Sequence, residues 1–270
     1  MVVSILKESY EMLKVEFKGE CNEILVVTLN RPEVMNAMNT KMLEERLSLF
    51  REQAYNEDLR CVVITGAGDK AFSTGGDLKE RNGMSDGTWK RQHHIIEDLV
   101  LLTRDFPVPI ISAVEGYALA GGCEMALSTD FIIASETAIF GLSEALRGIL
   151  PGGGGLQNLT RAIGVRRAKE LIYTGRKIDA TLAYEWGMVN RVVSKGKSLE
   201  TALELAAMIA DTAPMAVRAA KTSINQGSET DYHTAYALDI AAYNLLVSSE
   251  DRLEGVAAFN EKRKPRWKNQ

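Results

Sequence analysis

An α/β fold with largely parallel strands, followed by an all-helical C-terminal region, is what the sequence predicts. Three observations lead there: short β-branched runs bounded by turn residues, amphipathic helical spacing between them, and a composition without strand candidates from about Glu200 onward. EMLKVEFKGE and EILVVTLNRP read as two strands joined by a turn at Gly19 to Asn22. TKMLEERLSLFREQAYN follows, with apolar residues at Met42, Leu43, Leu47, Phe50 and Ala54 in helical spacing. CVVITG is a buried strand. A helical stretch from about Thr88 to Thr103 leads to the strand PVPIISAVEG, the short helix AGGCEMALSTD and the strand FIIAS. Strands separated by helices in this way pair in parallel, because the helix carries the chain back across the sheet. LQNLTRAIG places Leu156, Leu159 and Ile163 on one helical face and closes on Gly164 as a C-cap. Beyond residue 200, LETALELAAMIADTAP, MAVRAAKTSINQG, TAYALDIAAYNLLVSS and DRLEGVAAFNEKR are all helical in pattern.

Composition narrows the class of protein. The chain has 270 residues, 46% hydrophobic and 25% charged, which suits an ordinary globular protein with a sizeable core. Its net charge of −4 gives no general attraction to nucleic acid or an anionic membrane. No apolar run reaches the roughly 20 residues needed to span a bilayer, and MVVSILKESYEMLK has neither the basic-then-apolar order of a leader nor an Arg-rich transit pattern, so the expected location is the cytoplasm. Cys21, Cys61 and Cys123 lack metal-ligand spacing and read as reduced, mostly packed thiols. His93, His94 and His233 likewise form no metal set and suit surface positions.

Three glycine clusters remain to be explained. Around residues 148 to 155 the run PGGGG lacks the Lys-Ser/Thr of a phosphate loop and the spacing of a dinucleotide fingerprint, so it reads as a flexible turn feeding a helix. AFSTGGDLKE and ALAGGCEMA each follow a strand, where glycine lets the backbone turn sharply with its N–H groups open to a ligand. Two such turns aimed at one oxygen make an oxyanion hole, although either turn alone is more often an ordinary tight connection. Glu124 and Glu144 sit in apolar phrases beside these turns. Each suits a salt bridge or a solvated face by itself; together with the turns they suggest acid–base chemistry beside a stabilised oxyanion.

AFSTGGDLKE, PVPIISAVEGYALAGGCEMALSTDFIIAS, FGLSEALRGILPGGGG and DRLEGVAAFNEKRKPRW together resemble the enoyl-CoA hydratase/isomerase (crotonase) superfamily from about Leu25 onward. The resemblance implies a spiral of ββα units over residues 1–199 and an all-helical region over 200–270 that builds a homotrimer or a hexamer of paired trimers. It implies that the amides of Gly76 and Gly121 hold a thioester oxygen, that Glu144 exchanges a proton with substrate or water, and that Glu124 orients the water. Relatives usually carry Ala where this chain has Gly76. The resemblance carries Lys79, Phe259 and Lys262 to the coenzyme A handle, the last two from a neighbouring subunit; as residues alone they suit solvated lysines and a helix anchor. Glu33 stands where relatives often have a basic residue near the CoA phosphates. The expected activity is hydration of a 2-enoyl-CoA with no separate cofactor, since coenzyme A enters with the substrate. Hydration of 3-methylglutaconyl-CoA or enoyl-CoA isomerisation are the alternatives within the family, and an RNA-binding scaffold on the same fold is the alternative outside it, disfavoured by the mixed charge of TKMLEERLSLFREQAYNEDLR.

Overall fold

The computed structural model describes residues 10–270, so the first nine residues of the N-terminal phrase lie outside the described part. Among the described residues ten strands and eleven α-helices follow one another. β1 (Leu13–Lys18), β2 (Ile24–Leu29), α1 (Thr40–Gln53), β3 (Cys61–Gly66) and β4 (Ala71–Ser73) lead to α2 (Leu78–Arg81) and α3 (Asp86–Arg104). Then come β5 (Ile110–Val114), β6 (Tyr117–Leu119), α4 (Gly121–Leu127), β7 (Phe131–Ser135) and β8 (Ile139–Gly141). α5 (Gly155–Ile163), α6 (Val165–Thr174), β9 (Ile178–Asp179), α7 (Ala180–Glu185) and β10 (Arg191–Val193) complete the mixed part. α8 (Ser198–Ala210), α9 (Pro214–Gly227), α10 (Tyr232–Val247) and α11 (Glu250–Glu261) are the helical tail.

The strands form two sheets. The larger has the order β1-β2-β3-β5-β7-β10 and the smaller β4-β6-β8-β9. β1 and β2 are the antiparallel hairpin expected from the turn at Gly19, while β2, β3, β5, β7 and β10 are parallel neighbours. Each of the three central turns of chain contributes one strand to the large sheet and the next to the small one: β3 then β4, β5 then β6, β7 then β8. This is the spiral of ββα units that the resemblance implies.

The large sheet is covered on both faces, which is why its strands are almost continuously apolar. Leu25, Val27 and Leu29 of β2 and Val62 and Ile64 of β3 face the main core with Phe50, Leu99 and Phe106. The alternate residues, Ile24 and Val26 of β2 and Cys61 and Val63 of β3, face Ala202 and Ala206 of α8. The two-residue period of a strand thus sorts one sequence into two cores. The helical run begins at Ser198, and its first helix packs against the sheet. Cys61 and Cys123 are buried free thiols, held above their ordinary pKa by burial, and Cys21 is exposed.

Close approach between sheet and helix is made possible by glycine at Gly122 of α4. A Cβ there would stand 2.1 Å from the carbonyl oxygen of Ser73 at the end of β4. Gly122→Ala is therefore expected to destabilise by about 1–3 kcal/mol or more, because backbone must move. Thermal melting checks this against Gly87→Ala in the first turn of α3, where the nearest atom is 3.6 Å away and no loss is expected.

Candidate active site

The small sheet sets the position of the site. β4, β6 and β8 are parallel neighbours in that order, so their C-terminal ends lie at one edge, and each is followed within a few residues by one of the motifs. After β4 comes Gly75-Gly76, after β6 comes Gly121 with Glu124 in α4, and after β8 comes Glu144 at the start of a 3-10 turn. Gly76, Gly121, Glu124 and Glu144 all line one cavity of about 1020 Å³, together with Lys79. That volume is at the upper end of what ligand pockets commonly enclose, about 300–1,000 Å³.

The two glycine corners meet. Gly75 has φ +88° and its carbonyl accepts from the amide of Met38 at 2.8 Å, while the next amide, that of Gly76, has no acceptor among the described residues. A Cβ on Gly121 would stand 3.7 Å from the Gly76 nitrogen, and one on Gly75 only 2.7 Å from the Gly121 nitrogen. Gly121 belongs to the first turn of α4, where an amide finds no carbonyl in its own helix. Ala120 before it is held at φ +49°, an uncommon conformation for a residue with a side chain, costing on the order of 1–3 kcal/mol. Two amides without an acceptor among the described residues thus lie at adjoining corners that line the same cavity.

The run PGGGG has a further task. The amides of Gly153 and Gly155 donate to Oε1 of Glu124 at 2.7 and 3.0 Å. A Cβ at Gly153 would lie 2.9 Å from Oε2 of the same carboxyl group and one at Gly155 2.8 Å from Oε1, so both positions need to be bare for the backbone to reach it. The expectation of a mere flexible turn is corrected: the glycines form a clamp on Glu124, a long-range contact that nothing in the local sequence marks.

Both glutamates are almost fully buried. Burial is the main cause that lifts Glu124 to about 7, partly offset by the Gly155 and Gly153 amides and by Arg81, and reinforced by the like charge of Glu144. Burial also raises Glu144, against the pull of its own amide and Arg147. Oε2 of Glu144 is buried and has no partner among the described residues. Burial, reinforced by a like charge in the same cavity, thus keeps a proton available on Glu124 near neutral pH.

Arg81 and Trp89 also line the cavity, as does His93, which the sequence suited to a surface position. The Arg81 guanidinium lies 4.6 Å over the Trp89 ring, and its Nε donates to Gln92 at 2.8 Å. A Cβ on Gly76 would stand 2.8 Å from its Cζ, so the bare Gly76 leaves room for this cation. Phe259 and Lys262 lie elsewhere: Phe259 is exposed on α11, Lys262 caps that helix, and neither lines the cavity of its own chain.

The sequence profile of the enoyl-CoA hydratase/isomerase family matches residues 19–270. The chain belongs to the enoyl-CoA hydratase/isomerase family. The short-chain-enoyl-CoA hydratase of Clostridium acetobutylicum is 39% identical over 246 residues, covering 90% of this chain and 93% of the relative. The mouse mitochondrial enoyl-CoA hydratase domain-containing protein 2 is 39% identical over 256 residues, covering 92% and 86%. Among solved structures, the enoyl-CoA hydratase of Bacillus anthracis superposes with a TM-score of 0.94 at 41% identity, covering 96% of this chain and all of the other. The crotonase fold expected from the motifs is thus the fold observed. Among the described residues no helix is long and apolar enough to cross a membrane, and no cluster of His, Cys, Asp and Glu has the makings of a metal site.

The raised pKa of Glu124 carries a stability consequence. A carboxyl whose folded pKa lies above its unfolded value of 4.5 favours the fold at low pH, and that advantage is lost as pH rises through about 7. Glu124→Gln keeps an acceptor for the two amides but never ionises. It is expected to melt progressively higher than the parent from pH 4.5 to about 7, by up to about 3 kcal/mol above that range, as measured by denaturation at several pH values.

Proposed function

We propose that this enoyl-CoA hydratase/isomerase family member is a hydratase, adding water reversibly and syn across the 2,3 double bond of a 2-enoyl-CoA thioester. One observation carries the reading: two buried carboxyls with raised pKa values share a cavity with two unused amides from adjoining corners. Isomerases and hydrolases of this fold often replace one or both glutamates, and here both are present.

In this reading the thioester oxygen accepts from the amides of Gly76 and Gly121. Conjugation links that oxygen to C3, so attack there moves negative charge onto the oxygen, and donors placed at it act most strongly as the enolate-like state forms. Glu124, with Oε1 fixed by the glycine clamp, uses Oε2 to hold and polarise the water whose hydroxyl adds to C3. Glu144 supplies the proton that C2 acquires and recovers one from the water, so that water is consumed and both carboxyls return to their starting state. Coenzyme A enters as part of the substrate, and the acid–base steps as written call for no separate cofactor. Lys79 serves the CoA handle from the cavity rim.

The helical tail is assigned to a homotrimer, alone or paired into a hexamer. α10 buries none of its residues and exposes Tyr236, Ile240 and Tyr243 on one face, which a second copy would cover, and Phe259 and Lys262 would then reach the CoA of a neighbouring subunit.

Hydration of crotonyl-CoA and longer enoyl thioesters, followed as loss of the conjugated absorbance, tests the activity. Glu144→Gln is expected to lower kcat by about 10²–10⁴, the span typical of a general acid–base group, with little change in KM. Full activity in that variant would end the assignment.

A further inference from the structure

Arg46 is buried with no charge to answer it. It lies on α1 and is 5% exposed, yet it lines the same cavity as the two glutamates and the two oxyanion glycines. Its acceptors among the described residues are thioethers: Nη1 donates to Sδ of Met125, and to Sδ of Met38 at 3.7 Å. Thioether sulfur is a weak acceptor. Nε is buried and donates to nothing, and among the described residues the guanidinium makes no ion pair. Burial alone, without help or hindrance from any neighbouring charge, holds it down to about 10.

Such a group is costly. Taking a cation out of water has an effective penalty of several kcal/mol unless a partner restores the lost interactions, and buried charges in native proteins are normally paired. Arg81, another guanidinium that lines the cavity, is satisfied by Gln92 and the Trp89 ring. Arg46 is not: the two methionines are its only hydrogen-bond acceptors among the described residues. Its neighbourhood also places it. Met38, which it touches, has its Cε 3.2 Å from where a Cβ of Gly121 would stand, so a single methionine separates the guanidinium from the corner that receives the thioester oxygen. The missing partner must therefore arrive inside the cavity, on the acyl portion of the substrate, a short distance from the thioester.

We infer that Arg46 is a specificity-determining residue that binds a second carboxylate at the far end of a short acyl chain, so that the preferred substrates are 2-enoyl-CoA thioesters ending in a carboxylate instead of a methyl group. This rests on the hydratase reading for the chemistry and on the unpaired guanidinium for the substrate class. A planar fork of N–H donors suits a carboxylate, and the thioether contacts are weak enough to be exchanged for it. A methyl-ended chain of the same length would leave the cation unpaired, and sites built around a buried polar group discriminate strongly against ligands that do not complete it.

The test compares matched pairs of substrates: pent-2-enoyl-CoA with glutaconyl-CoA, and hex-2-enoyl-CoA with its ω-carboxylated counterpart. In the parent protein the carboxylated member of at least one pair is expected to have a kcat/KM higher by about 10²-fold or more. Arg46→Met should bring that ratio to about one or below, and Arg46→Lys should keep part of it, since a charge remains without the fork. Calorimetric binding of glutaryl-CoA and valeryl-CoA, which need no turnover, should show the same preference for the carboxylated ligand. Equal kcat/KM values and equal binding for carboxylated and methyl-ended ligands in the parent would overturn the inference, as would a ratio left unchanged in Arg46→Met. If neither member of any pair is hydrated, the hydratase reading fails instead, and the binding comparison still decides the role of Arg46. Should Arg46→Met not fold, the parent comparisons decide alone.

Discussion

The parallel pairing of three strands, each only three residues long, is the constraint on which the site depends. β4, β6 and β8 run side by side in the same direction, so the chain leaves all three at one edge. Gly76, Gly121 and Glu144 lie two or three residues beyond those ends, and they converge because the strands do, with no long-range coincidence required. The large sheet supplies the rigidity. β3, β5 and β7 precede the short strands in the same order, and their two covered faces keep each turn of the spiral in register with the next. A donor pair for an oxyanion acts only if its geometry is set before charge develops, and here the setting is done by ordinary sheet pairing.

Glu124 shows how a strained site is held. The apolar surroundings and the nearby Glu144 both oppose ionisation of its carboxyl, while the amides of Gly153 and Gly155 favour it and fix one of its oxygens. Neither effect alone gives a useful group. Without the clamp the carboxyl would stay protonated and free to rotate; without burial it would be an ordinary surface glutamate, ionised and inert near neutral pH. The left-handed Ala120 is another local cost at the same corner. Both costs are carried by the packed sheets beneath them, which is why the glycines that permit close approach sit at the strand ends.

Much of this was legible in the sequence, and the part that was not has a physical reason. β1, β2, β3, β5 and β7 of the large sheet and all four C-terminal helices were readable because each is long enough to show its period or, as in CVVITG, because two-sided burial leaves a continuous apolar run, whereas the three-residue β10 at the sheet edge was not. Of the small sheet, β4 (AFS), β6 (YAL) and β8 (IFG) are three-residue strands, too short for any period to emerge, and β9 has two residues. The glutamates and glycine corners were found because residue type and spacing betrayed them. The clamp on Glu124 was missed because its donors lie 29 and 31 residues downstream and are backbone amides, which carry no sequence signature beyond the glycines themselves. Arg46 escaped for the opposite reason: an arginine in TKMLEERLSLFREQ looks like any solvated helix residue until the fold encloses it.

Gly76 illustrates how one small departure from a family pattern acquires meaning only in three dimensions. Read locally, a glycine in place of alanine merely loosens the backbone beside the oxyanion corner, at an entropic cost of roughly 0.5–1 kcal/mol. In the fold, the space a methyl group would fill is taken by the Arg81 guanidinium, packed between that corner and the Trp89 ring. The glycine thereby admits a cation close to the place where negative charge is proposed to gather and within electrostatic reach of Glu124, whose ionised form it favours. A substitution that costs rigidity in the chain thus gains charge complementarity in the cavity, and the two effects oppose each other at a single residue.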